Sequence, residues 1–298
     1  MKATQERKMY QAASEIAEYI GNRAYRALLA EVYTTPKPGL VDLSSNGAHR
    51  DMDVRTFEKS ALALYPWFVR MTVQGVLLQC SPEDLFRDVR KSGIEAEKAM
   101  YRATGGINTH KGLIFTMGIF CAAAGRCIRE SDGMLSWKEL RGMQRQMVCK
   151  ELAEELGTIL KTTAHSHGEK NLQKYGTSGV RGEALAGYPS LFQVALPVLQ
   201  QGVAEGREWN RVKLQTLLVL MSNTQDSNII SRTSPEELSR VQREISDFLE
   251  AGGAYREDAI EFLQELDQEY IRRNVSAGGC ADLLAATIFL HSIVKAPL

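Results

Sequence analysis

The sequence has no net charge to offer a partner: 36 Lys+Arg balance 36 Asp+Glu over 298 residues, with five histidines besides. Such a chain has no general attraction for phosphate backbones or anionic lipid, so neither nucleic acid nor a membrane surface is an expected partner. With only eight prolines, 44% hydrophobic and 24% charged residues, it is neither collagen-like nor disordered. No C-x-x-C pair occurs. Cys80, Cys121, Cys127, Cys149 and Cys280 are odd in number and irregularly spaced, which gives no zinc or disulfide framework and suits a reducing compartment. The first fourteen residues lack the basic stub and apolar core of a signal peptide. The strongest apolar run, Gly112 to Gly125, falls short of the ~20 residues that a bilayer needs. A cytoplasmic protein is expected.

Strand-like alternation is missing as well, and helical periodicity takes its place. Ile16, Ile20, Ala24, Leu28 and Val32 repeat every four residues, predicting a helix from Ala12 to Tyr33 that stops at Thr35-Pro36-Lys37-Pro38-Gly39. A second pattern runs from Phe57 to Val76, with Asp53 as its cap and Pro66 as a kink. Ser81-Pro82-Glu83-Asp84, Ser136-Trp137-Lys138-Glu139 and Ser234-Pro235-Glu236-Glu237 are written as capping boxes. Further helices are expected at Lys111 to Ile128, Lys138 to Leu160, Leu191 to Gln200, Val212 to Met221 and Ala259 to Ile271, with a last one after Gly278-Gly279. The expectation is all-α: one multi-helical domain over residues 1–298 with glycine-rich active-site loops and no internal repeat. Phe57, Phe68 and Met221 are read as core.

Chemistry-bearing residues concentrate in five breaks: Pro36 to Asp53, Gly105 to Gly112, His165 to Pro189, Asp226 to Arg232 and Asn274 to Asp282. The first places Lys37, Asp42, His49, Arg50, Asp51 and Asp53 within seventeen residues. Asp51 and Asp53 are candidate Mg²⁺ ligands, since two carboxylates with water and phosphate suit that ion; the alternative is a helix cap beside a solvated acid. In the second break, His110, Lys111 and free N–H groups at a helix start suit an anion, although no Walker A pattern occurs and a plain glycine cap explains the spacing equally well. The third reads as a mobile lid whose Lys170, Lys174 and Arg181 close over phosphates, with His165 and His167 as loop histidines. Glu183 is expected to open the next helix, as a candidate catalytic carboxylate that either accepts a proton or shields a developing cation; the alternative is a first-turn Glu that complements the helix dipole. Asp42, Asp226 and Asp282 are the other candidate bases, and His49 is a further candidate catalytic group. Cys280 reads as a buried thiol rather than a nucleophile.

The series Thr35-Pro36-Lys37-Pro38-Gly39-Leu40-Val41-Asp42, Gly47-Ala48-His49-Arg50-Asp51-Met52-Asp53, Gly106-Ile107-Asn108-Thr109-His110-Lys111-Gly112, Gly179-Val180-Arg181-Gly182-Glu183-Ala184 and Gly278-Gly279-Cys280-Ala281-Asp282-Leu283-Leu284 resembles the triphosphoribosyl-dephospho-CoA synthases. The match is spread from about Glu31 to the C-terminus. It departs at Ala277, where the family pattern has proline before the glycine pair. The resemblance implies an all-helical enzyme that joins ATP to 3′-dephospho-CoA, releases adenine and forms 2′-(5″-triphosphoribosyl)-3′-dephospho-CoA, the precursor of the citrate lyase prosthetic group. It further implies a separate downstream transferase that loads the citrate lyase acyl carrier subunit. A sister group serves malonate decarboxylase, and Asp42 with Ala48-His49-Arg50 is closer to the citrate lyase branch. ATP is then a substrate, with Mg²⁺ as the expected cofactor, and self-association into a homo-oligomer stays open. The competing reading is a helical metal-dependent phosphohydrolase, for which no H-D pair is present.

Overall fold

Among the residues described by the computed structural model, 2–131, 135–160 and 167–294, no strand is present and thirteen α-helices carry the chain. They are α1 (Lys2–Val32), α2 (Val54–Leu77), α3 (Pro82–Thr104), α4 (Lys111–Glu130), α5 (Trp137–Ile159), α6 (His167–Tyr175), α7 (Gly179–Leu185), α8 (Leu196–Ala204), α9 (Trp209–Asn223), α10 (Ser227–Arg232), α11 (Pro235–Glu250), α12 (Ala259–Arg272) and α13 (Gly278–Ile293). A π-helical turn, Ser190–Ala195, leads into α8. The three capping boxes start α3, α5 and α11 as the sequence predicts: Ser81, Ser136 and Ser234 each accept the N–H three residues on. The all-helical expectation holds. Two of the five breaks nonetheless contain short helices. His165 lies outside the described residues, but α6 and α7 occupy most of the third break, and α10 fills the fourth.

At the centre stands α4, long and apolar enough by length and composition to cross a membrane, yet 78% of its apolar window is buried inside the protein. Helices α2, α3, α5 and α13 pack around it. Close approach depends on small residues: a Cβ on Gly75 of α2 would collide with the Ala122 carbonyl oxygen of α4, and one on Gly125 with the Thr72 carbonyl oxygen of α2. Backbone on backbone leaves no flexible side chain to give way. Gly75→Ala is therefore expected to destabilise the fold by about 1–3 kcal/mol, despite alanine's better helix propensity. Thermal melting checks this, and an unchanged or higher midpoint would contradict the tight crossing.

The loop between α1 and α2 is folded around Asp42, which accepts Lys37 N–H at 2.6 Å, Ser44 N–H at 2.7 Å, Ser44 Oγ–H at 2.8 Å and Ser45 N–H at 2.9 Å. Gly39 sits at φ 72° with its N–H donated to Asp267 Oδ1 at 2.8 Å. Arg232, at the end of α10, holds the far side of the loop through the Ala48 carbonyl and Asn274 Oδ1. The loop is thus pinned to α12 and α10 across the N-terminal end of α13.

Candidate active site

A cleft of about 690 Å³ opens where the N-terminal ends of α4 and α13 meet this loop. Lys111 and Gly112 of α4 line it, as do Gly278 and Gly279 of α13. The unpaired N–H groups of a helix start carry partial positive charge, so two long helices direct favourable ends toward any anion there. The shorter α7 and α10 contribute Gly179, Gly182, Ser227 and Asn228 to the same walls.

Lys37 lies on the floor of the cleft at 1% exposure, ion-paired with Glu31 and donating to the Glu31 carbonyl at 2.9 Å. Burial raises the Glu31 pKa against the opposing pull of Lys37. Behind them Lys213 donates to the Ala30 carbonyl at 3.1 Å, and burial, with Lys37 adding to it, brings its ammonium down to about 8. His110 is the N-cap residue of α4, makes no side-chain cap bond and is 2% exposed. Its ring packs edge-on against Phe57 at 5.0 Å, and Nδ1 pairs with Ser60 Oγ at 2.7 Å. Burial, reinforced by Lys37, pushes its pKa down to about 3, so the imidazole is neutral at pH 7.

Besides Glu31, three carboxyl groups line the cleft. Asp226 caps α10 by accepting Asn228 N–H at 2.8 Å and Ile229 N–H at 3.3 Å, and it takes Cys280 N–H of α13 at 2.9 Å. Burial raises its pKa while those N–H groups oppose the shift. Asp282 lies against the first turn of α4, where a Cβ on Gly112 would sit 2.7 Å from Asp282 Oδ2, and it accepts the Leu113 N–H. Burial, with the Glu31 and Asp226 charges adding to it, holds Asp282 well above the ordinary carboxylate range. Glu183 accepts Ser190 Oγ–H at 2.8 Å and Ser190 N–H at 3.3 Å, and burial raises its pKa against these two bonds. A pocket that joins cation, neutral imidazole and elevated carboxyls, at helix starts, suits an anionic substrate and proton transfer.

Comparison with known proteins agrees with that chemistry. Residues 17–297 match the family model described as CitG: ATP:dephospho-CoA triphosphoribosyl transferase. The chain belongs to this family. It is 40% identical over 285 residues to a 2-(5″-triphosphoribosyl)-3′-dephosphocoenzyme-A synthase of Escherichia fergusonii, covering 94% of this chain and 92% of that one. A Klebsiella pneumoniae protein of the same name is 39% identical over 280 residues, 93% of this chain and 91% of its own. A probable synthase of Vibrio cholerae is 38% identical over 277 residues, 93% and 88% of the two chains. No solved structure matches.

The structure brings only part of the expected set into the cleft. Lys37, His49, His110, Lys111, Glu183, Asp226 and Asp282 line it. Asp42 does not, because its oxygens are engaged in folding the loop. Lys111 stands at the rim, paired with Glu97 at 2.6 Å. Arg181 turns the other way and pairs with Glu155 of α5 at 3.0 Å. Lys170 and Lys174 are exposed on α6, the latter with its ammonium over the Tyr175 ring, and Arg50 is exposed as well. Glu183 is the fifth residue of α7 and not a helix opener, since α7 begins at Gly179. Phe57 is half-buried cleft wall, whereas Phe68 and Met221 are core as expected. Cys280 is a buried thiol held well above its ordinary pKa by desolvation and Asp226. Glu31, Ser60 and Arg232 were not singled out by the sequence, because each sits within a helix or at its end and carries no motif.

The proposed Mg²⁺ ligands do not fit a metal site. Asp53 Oδ1 accepts Thr56 N–H at 2.8 Å and Thr56 Oγ1–H at 2.7 Å in a capping box, and the Asp51 side chain is 64% exposed beside His49. Neither lines the cleft, and among the described residues no cluster of three metal-ligating side chains occurs. Asp53→Ala is therefore expected to destabilise the protein by about 1 kcal/mol through loss of the cap. The Mg²⁺ concentration needed for half-maximal activity should stay the same in that variant and in Asp51→Asn. A markedly raised Mg²⁺ requirement in either would restore them as ligands.

Proposed function

We propose that the cleft between α4, α7, α10 and α13 is where the 2′-hydroxyl of 3′-dephospho-CoA displaces adenine from the ribose of ATP. The observation that carries this reading is that Glu183 and Asp282, both carboxyls raised by burial, face one cleft with Lys37 and two helix N-termini. One C–O bond forms at the ATP ribose carbon as its bond to adenine nitrogen breaks, and the triphosphate is retained. The transition state resembles an oxocarbenium ion, which nearby carboxylates stabilise. Asp282, the more strongly raised group, keeps its proton and delivers it to the departing base. Glu183 accepts the proton of the attacking hydroxyl. Lys37, His110 and the start of α4 face the triphosphate. Any Mg²⁺ would come with ATP and offset the charge of its phosphates.

The product is the precursor of a prosthetic group that a separate transferase attaches to an acyl carrier subunit. Asp42 with Ala48-His49-Arg50 favours the citrate lyase branch over the malonate decarboxylase one. Mass spectrometry of a reaction with ATP, dephospho-CoA and Mg²⁺ tests the reading. Adenine should be released in step with dephospho-CoA consumption, with the mass of the triphosphoribosyl adduct appearing. Phosphate release without adenine would replace it with the phosphohydrolase.

A further inference from the structure

We propose that His110 meets ATP through Nε2–H, donating one hydrogen bond to a phosphate oxygen, and that Ser60 of α2 is the positioning residue that keeps the ring proton on that nitrogen. The proposal rests on the reading of this cleft as the ATP site. Thr109 Oγ1–H donates to Ser60 Oγ at 2.7 Å, which leaves the single Ser60 proton to go on to His110 Nδ1 at 2.7 Å. Nδ1 is then an acceptor, and a neutral ring carries its hydrogen on Nε2. That atom is buried and has no partner among the described residues, while His110 is one of the residues that line the cleft. A buried donor without a protein partner is unfavourable, and a group left in this state beside a cleft points to a partner that arrives with the ligand.

The neighbours decide which part of ATP that partner is. Lys37 is close enough to act on the ring electrostatically, Lys111 follows His110 in sequence, and the ring stands at the start of α4. Lys37 and Lys111 are paired with Glu31 and Glu97, yet together with the N–H groups of the α4 start they supply the donors on this side of the cleft, which suits the phosphates better than the adenine. A neutral donor also avoids placing a second buried cation against Lys37, which a charged imidazole would do. Phe57 packs edge-on against the ring and fixes its plane, so the relay through Ser60 sets the tautomer of a ring that cannot rotate freely.

The test uses the full chain labelled with ¹⁵N-histidine, the His110 signals being assigned by their loss in His110→Gln. Long-range ¹H–¹⁵N spectra of the free protein should show the Nε2–H tautomer, with no titration between about pH 6 and 8. Ser60→Ala should move the ring toward Nδ1–H, a change that simple loosening of the fold does not produce. Calorimetric titration with Mg²⁺-ATP should find His110→Gln close to wild type, because its amide nitrogen replaces the Nε2 donor, and His110→Leu weaker by about tenfold to a hundredfold. An Nδ1–H ring in the wild type, or wild-type ATP affinity in His110→Leu, overturns the proposal. If His110→Leu fails to fold, an unchanged tautomer in Ser60→Ala overturns it equally well. Should ATP bind with this pattern while no adenine is released with dephospho-CoA, the reaction assignment falls and the His110 contact stands.

Discussion

Glu183→Gln is expected to lower kcat by about 10²–10⁴-fold while KM for ATP and dephospho-CoA changes little. The substitution keeps the volume of the side chain and an oxygen to accept Ser190 Oγ–H, the stronger of its two bonds at 2.8 Å. What it removes is the ability to take a proton, an interaction that grows only as the 2′-hydroxyl attacks. The fold should be unaffected, because the backbone bonds of α7 and the contact of Ala184 with Gln144 are untouched. Adenine release and thermal melting, measured on the same preparation, check the two halves. Near-normal turnover with a slightly lower melting temperature would make Glu183 a structural acceptor for Ser190, and Asp226 would become the next candidate base.

Asp282→Asn is expected to abolish most adenine release and to make the protein more stable at alkaline pH. The sign follows from the direction of the shift. An Asp whose pKa is raised in the folded state keeps its proton there while the unfolded chain, with an ordinary pKa near 3.8, has already lost it. Folding stability from this group is therefore fully present below pH 3.8 and declines as pH rises toward the folded value, by up to about 1.4 kcal/mol per pH unit. Asn carries no proton to lose and can still accept the Leu113 N–H. Melting curves across the pH range should show a flatter decline above pH 3.8 in the variant than in the wild type. A variant less stable than wild type at pH 8 would mean that Asp282 is charged and favourably bound, and the leaving adenine would need another proton donor.

Local signals in the sequence foretold local structure well. The starts of α3, α5 and α11 could be read because a cap and its N–H lie three residues apart, within one turn. Helix α7 could not, because Gly179 and Gly182 weaken its propensity and its hold comes from α5, through Gln144 to the Ala184 carbonyl at 2.8 Å and Glu155 to Arg181 at 3.0 Å. The same tertiary pairing explains why Arg181, surrounded by glycines in the sequence, is turned away from the cleft. For the site, looking for polar residues in breaks found Lys37, His110, Asp226 and Asp282. It passed over Glu31 and Ser60, which occupy helical positions of α1 and α2 and gain their meaning only from Lys37 and His110 lying beside them. Of the two readings it offered for Asp53, metal ligand and helix cap, the cap is the one the structure displays, through Thr56 three residues on. Spacing along a chain reports neighbours within a turn or a loop, whereas this cleft joins residues 31, 110, 183, 226 and 282, with residue 60 behind His110.

Asp226 bonds at once to the first turn of its own helix and to the Cys280 N–H, fifty-four residues further on. During synthesis, a chain still short of α13 leaves that carboxylate only the N–H groups of its own helix and lacks the wall that Gly278, Gly279 and Asp282 provide. Nascent chains thus have no finished cleft, and on the proposed reading of that cleft the capacity to act on ATP arises only when the last helix docks. An enzyme whose donor is the cell's common energy carrier thereby ties the onset of its chemistry to the completion of its fold.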